Sequence, residues 1–183
     1  MTHGDDNYFT TISGRRFWPL DPRVEDVCIE DIAHALAHLC RFNGHVRRFY
    51  SVAQHSVIVS HHVPAHLALQ GLLHDGSEAY LCDLSRVVKH DPGMLAYRNA
   101  EHRVQSAVYD AFGVDPQEAP EVKAADTLLL QDEVRCVALN EHLRPAYMRG
   151  PGLGVDINAW VPGKARDVFL YRFDQLMKER IRG

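Results

Sequence analysis

The chain has 183 residues, 46% of them apolar and 24% charged, with a net charge of −4. These values fit one domain with a sizeable core and argue against a long nucleic-acid track. No apolar run is long enough to span a bilayer, and the acidic start Met1-Thr2-His3-Gly4-Asp5-Asp6 lacks the regions of a signal peptide.

In chain order, Tyr8 to Ile12 and Arg15 to Trp18 flank Ser13-Gly14. Aromatic and β-branched residues around a two-residue Gly turn predict a short hairpin. Trp18 either caps the core or stacks on a flat ligand such as a base. From Asp26 to about Phe42, Ile29, Ile32, Ala33, Leu36, Leu39 and Cys40 form the stripe of an amphipathic helix. His34 and His38 lie one turn apart beside Glu30 and Asp31, which reads as a solvated face rather than a metal pair.

Asn43-Gly44 signals a turn. Around it, Arg41, Arg47 and Arg48 crowd with Phe42, Phe49 and Tyr50. The loop is either a basic surface or an anion site, where planar guanidinium groups grip phosphate oxygens. Ser51-Val52-Ala53-Gln54 fits a capping box and opens a helix to His62, with His55 inward beside Ile58 and Val59.

The next helix, opened by Pro64, carries Leu67, Leu69, Leu72 and Leu73 into His74-Asp75. A buried, unpaired Asp costs several kcal/mol, and a metal ion or hydrogen bonds can remove that cost. Glu78 follows one turn after His74 on the same face. Asp83, Arg86 and Lys89 precede the turn Asp91-Pro92-Gly93.

A helix from about Met94 to Phe112 buries Ala96, Ala100, Val104, Ala107, Val108 and Ala111, and Gly113 stops it. Another, from about Glu121 to Leu143, buries Val122, Ala125, Leu128, Leu129, Val134 and Val137, with Asp126 among them. Residues 145–163 read as a long surface loop. A last amphipathic helix, near Lys164 to Ile181, carries Val168, Phe169, Phe173, Leu176 and Met177. Cys28, Cys40, Cys82 and Cys136 form no C-x-x-C and read as reduced core thiols of a cytoplasmic protein. No linker divides the chain, so residues 1–183 are expected to form one all-α domain of six or seven helices with an N-terminal β-hairpin.

His55, His74-Asp75 and Asp126, each on its own helix, resemble the metal site of HD-domain phosphohydrolases. Arg41-Phe42, the Ser51 to Ser56 stretch, His74 to Glu78, Asp83-Leu84 and Lys89 extend the resemblance to YfbR-like 5′-deoxynucleotidases. The hairpin and the Arg41 to Gly44 loop are most similar to the small phage dATP triphosphohydrolases (DatZ-like). The link from His55 to His74 is shorter than in the bacterial nucleotidases.

The resemblance covers about residues 8 to 140 and implies an HD helical bundle holding one divalent ion on His55, His74, Asp75 and Asp126. Two imidazoles and two carboxylates suit Co, Mn, Zn, Ni or Mg. Glu78 would exchange a proton with water or the leaving oxygen, and Asp83 would orient that water or a sugar hydroxyl. Arg41 and Lys89 would neutralise phosphate charge, helped by Arg15, Arg16, Arg47 and Arg48. Trp18, Leu20 and Phe42 would enclose base and sugar. The implied reaction is dATP to deoxyadenosine and tripolyphosphate in a homo-oligomer (dimer or hexamer). The alternatives are dNMP hydrolysis and a nucleotide-binding sensor without turnover.

Overall fold

The computed structural model describes residues 6–137 and 145–182. Residues 1–5 and the expected continuation of a helix to Leu143 lie outside the described residues. Strands β1 (Phe9–Thr10) and β2 (Arg16–Phe17) are followed by α1 (Ile29–His38), α2 (Val52–His61), α3 (Ala68–Leu73) and α4 (Glu78–Leu81). Then come α5 (Arg86–Lys89), α6 (Leu95–Ala111), α7 (Pro120–Cys136) and α8 (Pro162–Arg182). The fold is all-α with one small antiparallel hairpin, as expected.

The hairpin pairs Phe9 with Phe17 and Thr10 with Arg16. Its connection spans residues 11–15 rather than two residues, closed by the Thr11 amide donating to the Arg15 carbonyl at 2.9 Å. Gly14 takes φ 83° there, a conformation that glycine adopts without steric cost. Phe17 is the anchor, stacked on Tyr80 at 3.7 Å between centroids. Asp31 corrects the reading of a solvated face. It is buried, and its carboxylate accepts from the Ser13 amide and hydroxyl, both at 2.8 Å, tying hairpin to α1.

The first helix is shorter than expected. Beyond His38 the backbone turns extended, because Leu39 and Arg41 exchange bonds with Val52 and Tyr50 instead of continuing a helix. That bridge presents Arg41 at the start of α2. Helix α2 is buried on nearly every face and lies against α1, α3, α7 and α8. Ser51 caps it, its hydroxyl accepting from the Gln54 amide at 3.1 Å. The reciprocal half of the capping box is absent. The Gln54 side chain instead donates to the Asn158 carbonyl and accepts from the Trp160 amide, both at 2.8 Å. Residues 155–160 are thereby pinned to the core, with Ile157 buried, and are not merely a surface loop.

The predicted continuous helix through His74 and Glu78 is broken. After Leu73 the chain makes a tightened turn, with the Gly76 amide bonding to the Leu73 carbonyl at 2.8 Å and Glu78 to Asp75 at 3.0 Å. Gln105 of α6 enters this break. Its amide donates to the Leu73 carbonyl at 2.8 Å and accepts from the Ser77 amide at 2.9 Å. Side-chain insertion of this kind is a recognised cause of helix kinks. Gly76 is required by close packing, since a Cβ there would sit 2.8 Å from Val108 Cγ1.

Helix α6 matches expectation within a residue at each end, although Ala96 is exposed. On α7, Leu128 is 36% exposed and leaves the predicted apolar set. Helix α8 buries Phe169, Phe173 and Leu176 across α1 and α2. Of the cysteines, only Cys28 is buried and Cys82 is exposed; all four are free. Among the described residues no helix is long and apolar enough to cross a membrane.

Candidate metal and substrate site

Three parts of the bundle bring four side chains together, with His55 at their centre. Helix α2 delivers His55, the turn after α3 delivers His74 and Asp75, and α7 delivers Asp126. His55 Nε2 lies 3.2 Å from His74 Nε2, 3.5 Å from Asp75 Oδ2 and 3.4 Å from Asp126 Oδ1. His74 Nε2 lies 3.3 Å from Asp75 Oδ2. His55, His74 and Asp75 form a group that can hold a metal ion, with ligand atoms mutually within 4.8 Å. Asp126 approaches that group at His55, outside the tight set of three.

The hydrogen bonds on the far sides of both rings decide what faces the centre. His55 Nδ1 contacts Glu133 Oε1 at 2.6 Å, and His74 Nδ1 contacts the Gly71 carbonyl at 2.9 Å. Both partners accept only, so each Nδ1 carries a proton. In neutral rings, both Nε2 atoms then present lone pairs to each other and to two carboxylates. Such a set can hold a cation, or share a proton on His55 with the carboxylates. An ion about 2.1 Å from each ligand needs neighbouring ligand atoms about 3.0 Å apart in an octahedron, or about 3.4 Å in a tetrahedron. The separations among His55, His74 and Asp75 fit, and Asp126 meets the requirement at His55. Burial and Arg41 lower the His55 pKa, but Glu133 and Asp126 outweigh them and raise it to about 9. Burial opposes ionisation of Asp126, yet His55, His74 and Lys123 hold it well below the usual carboxylate range.

A cavity of about 280 Å³ opens beside this group. Asp75, Glu78, Asp83 and Asp126 line one part, and Arg41, Arg86, Lys89 and Lys123 supply positive charge. Phe42, Leu130 and Tyr147 add apolar wall. Burial, then the charges of Asp75 and Asp83, push the Glu78 carboxyl well above its ordinary value. Burial also raises Asp83. Lys89 is held by Glu101 and reaches 4.0 Å from Glu78. A larger cavity, about 530 Å³, lies between Leu67, Val114 and Leu176 and includes none of the four central residues.

Arg41 is placed by strained backbone. Phe42 and Asn43 adopt left-handed φ values of 56° and 53°, uncommon for non-glycine residues and a feature of ligand sites. Its Nη2 donates to Glu133 Oε2 at 2.9 Å, while Nη1 lies 3.7 Å from Asp75 Oδ2. Burial would lower the Arg41 pKa; Glu133 and Asp75 more than offset it.

The structure thus brings His55, His74, Asp75, Asp126, Glu78, Asp83, Arg41, Phe42 and Lys89 together around one site. Trp18 and Leu20 are not among the described residues lining the cavity. Trp18 packs against Tyr8 with Arg23 above its ring, and Leu20 is 71% exposed. Arg15, Arg16, Arg47 and Arg48 do not line it either; Arg15 bonds the Glu25 carbonyl and Arg16 covers Tyr8.

Sequence reasoning missed Glu133, Lys123, Arg86, Leu130 and Tyr147. Two signals were present on α7. Lys123 precedes Asp126 by three residues, and Glu133 follows it by seven, so both share its face.

The chain is 32% identical over 176 residues to the uncharacterized protein YfdR of Escherichia coli K12, spanning 95% of this chain and 98% of that one. The chain belongs to the YfdR family. A second relative, an uncharacterized protein of Rhodobacter capsulatus, is 37% identical over 141 residues, covering 69% and 71% of the two chains. No family model matches the sequence. The YfdR match runs through all four central residues, so the whole site lies within the family's shared length.

Proposed function

We propose that this YfdR-family chain is a metal-dependent phosphohydrolase of deoxynucleotides, built on an HD-type helical bundle. The observation that carries the reading is the pair of Nε2 atoms 3.2 Å apart, both backed by Nδ1 acceptors and flanked by Asp75 and Asp126. His55, His74, Asp75 and Asp126 would hold a divalent ion, which when bound would supply charge neutralisation to the phosphoryl group and ease deprotonation of water. The native ion is one of Co, Mn, Zn, Ni or Mg.

The chain's own groups do the rest. Arg41 Nη1, left beside Asp75, grips a phosphate oxygen. Glu78, whose carboxyl burial pushes well above its ordinary value, exchanges a proton with the attacking water or the leaving oxygen. Asp83 orients the attacking water or a sugar hydroxyl. Lys89, Arg86 and Lys123 receive the phosphate charge, and Phe42 with Tyr147 encloses sugar and base.

The specific substrate proposed is dATP, cleaved to deoxyadenosine and tripolyphosphate, with 2-amino-dATP rejected by close packing at the purine edge. Four cations at one cavity support a triphosphate, and the likeness to phage dATP triphosphohydrolases supports the base. A cavity at the small end of ligand sites favours a second reading, dNMP hydrolysis, because Arg41 and Lys123 are already partly committed to Glu133 and Asp126. A homo-oligomer acting in the cytoplasm belongs to the same proposal.

The test is phosphate or polyphosphate release from deoxynucleotides by chelator-stripped protein, with and without added Mn²⁺ or Co²⁺. Metal-restored release supports the enzyme. Nucleotide binding with no release under any ion would make it a sensor.

A further inference from the structure

Glu133 joins two functional groups from different elements. One carboxylate oxygen accepts from His55 Nδ1 at 2.6 Å, and the other accepts from Arg41 Nη2 at 2.9 Å. The residue is fully buried on α7, among Tyr50, His55 and Arg41.

We propose that Glu133 is a positioning residue shared by the metal ligand His55 and the anion-binding Arg41, so that metal and phosphate affinity both depend on it. The inference rests on the metal-dependent reading above. Two physical consequences follow from the geometry. Accepting from Nδ1 fixes the tautomer and ring plane of His55, leaving Nε2 as a lone pair towards His74 and Asp75. Holding Nη2 also keeps Arg41 from closing fully onto Asp75, where Nη1 already stands 3.7 Å from Oδ2. Released from Glu133, Arg41 would compete with the metal for that carboxylate.

Glu133→Gln separates these contacts with little change of volume. Its single amide oxygen can serve His55 or Arg41, and its NH₂ faces a donor at the other. Loss of such a partner typically weakens metal binding 10–100-fold. The experiment titrates Co²⁺, and separately inorganic phosphate, into chelator-stripped wild type, Glu133→Gln and Glu133→Asp. Imidazole ¹⁵N shifts of the Zn²⁺-loaded proteins report the His55 proton position.

Glu133→Gln is expected to bind Co²⁺ about 10–100-fold more weakly, to bind phosphate more weakly, and to shift the His55 signals. Glu133→Asp, with two acceptors on a shorter arm, should fall between. A purely structural role lowers thermal stability but leaves both affinities and the ¹⁵N pattern unchanged, which overturns the proposal. Should Glu133→Gln fail to fold, Glu133→Asp decides: wild-type affinities for both probes overturn it, and joint weakening supports it. Wild type that binds no Co²⁺ overturns the metal-dependent reading itself, a result distinct from equal binding by wild type and variant.

Discussion

His55 Nε2 and His74 Nε2 lie 3.2 Å apart with both Nδ1 atoms facing acceptors. Asp75 Oδ2 sits within 3.5 Å of each ring nitrogen, so it closes the smallest set able to hold an ion. Asp75→Ala is expected to abolish Co²⁺ binding and hydrolysis together. Isothermal titration beside a release assay checks both. Retained binding with lost turnover would move Asp75 from ligand to another role.

Glu78 has a separable part. It lines the cavity, its pKa is raised by burial, and it is not in the tight three-residue group. Glu78→Ala should keep Co²⁺ affinity and lose turnover by about 10²–10⁴-fold, the usual contribution of a general acid or base. Full activity in the variant would remove the proton-transfer role.

The sequence carried the four central residues because each lies on or beside an apolar stripe, where a polar side chain is anomalous. It also carried every long helix, through Leu, Val and Phe spacing on α6, α7 and α8. It did not carry Gln105, whose partners are backbone groups of another helix freed by a break that periodicity does not mark. Residue type and the family resemblance both point Trp18 and Leu20 at the cavity, which they do not line. The hairpin is instead oriented by Phe17 on Tyr80 and by Ser13 on Asp31, pairings between residues far apart in the chain.

Gln105 predicts a structural effect with a functional echo. Gln105→Leu leaves the Ser77 amide without its partner and removes one of two donors to the Leu73 carbonyl, which keeps the Gly76 amide. A buried unsatisfied backbone group costs about 1–3 kcal/mol. Denaturant unfolding should show a loss of that order, and Co²⁺ affinity should fall because His74 and Asp75 lie within the broken turn. Unchanged stability would show that the turn holds itself.

Tyrosine ionisation predicts the alkaline limit. Burial raises the hydroxyl pKa of Tyr50, Tyr80, Tyr97 and Tyr109 above the ordinary value. Below about pH 10 these groups are protonated in both folded and unfolded chains, so they impose no pH dependence. Above it the unfolded chain loses protons that the folded chain keeps, so stability falls as pH rises. Absorbance at the tyrosinate band should show Tyr50, Tyr80 and Tyr109, the three buried ones, ionising only with unfolding. Free titration of all seven tyrosines near pH 10 in folded protein would contradict their burial.

The most direct measurement is ³¹P analysis of products after incubating the metal-loaded protein separately with dATP, 2-amino-dATP, dGTP and dAMP. The account predicts tripolyphosphate and deoxyadenosine from dATP, with 2-amino-dATP left intact. Orthophosphate from dAMP in preference would assign the monophosphate reaction to the same site. No phosphorus product from any of the four, with protein shown to have bound the metal, would contradict the phosphohydrolase.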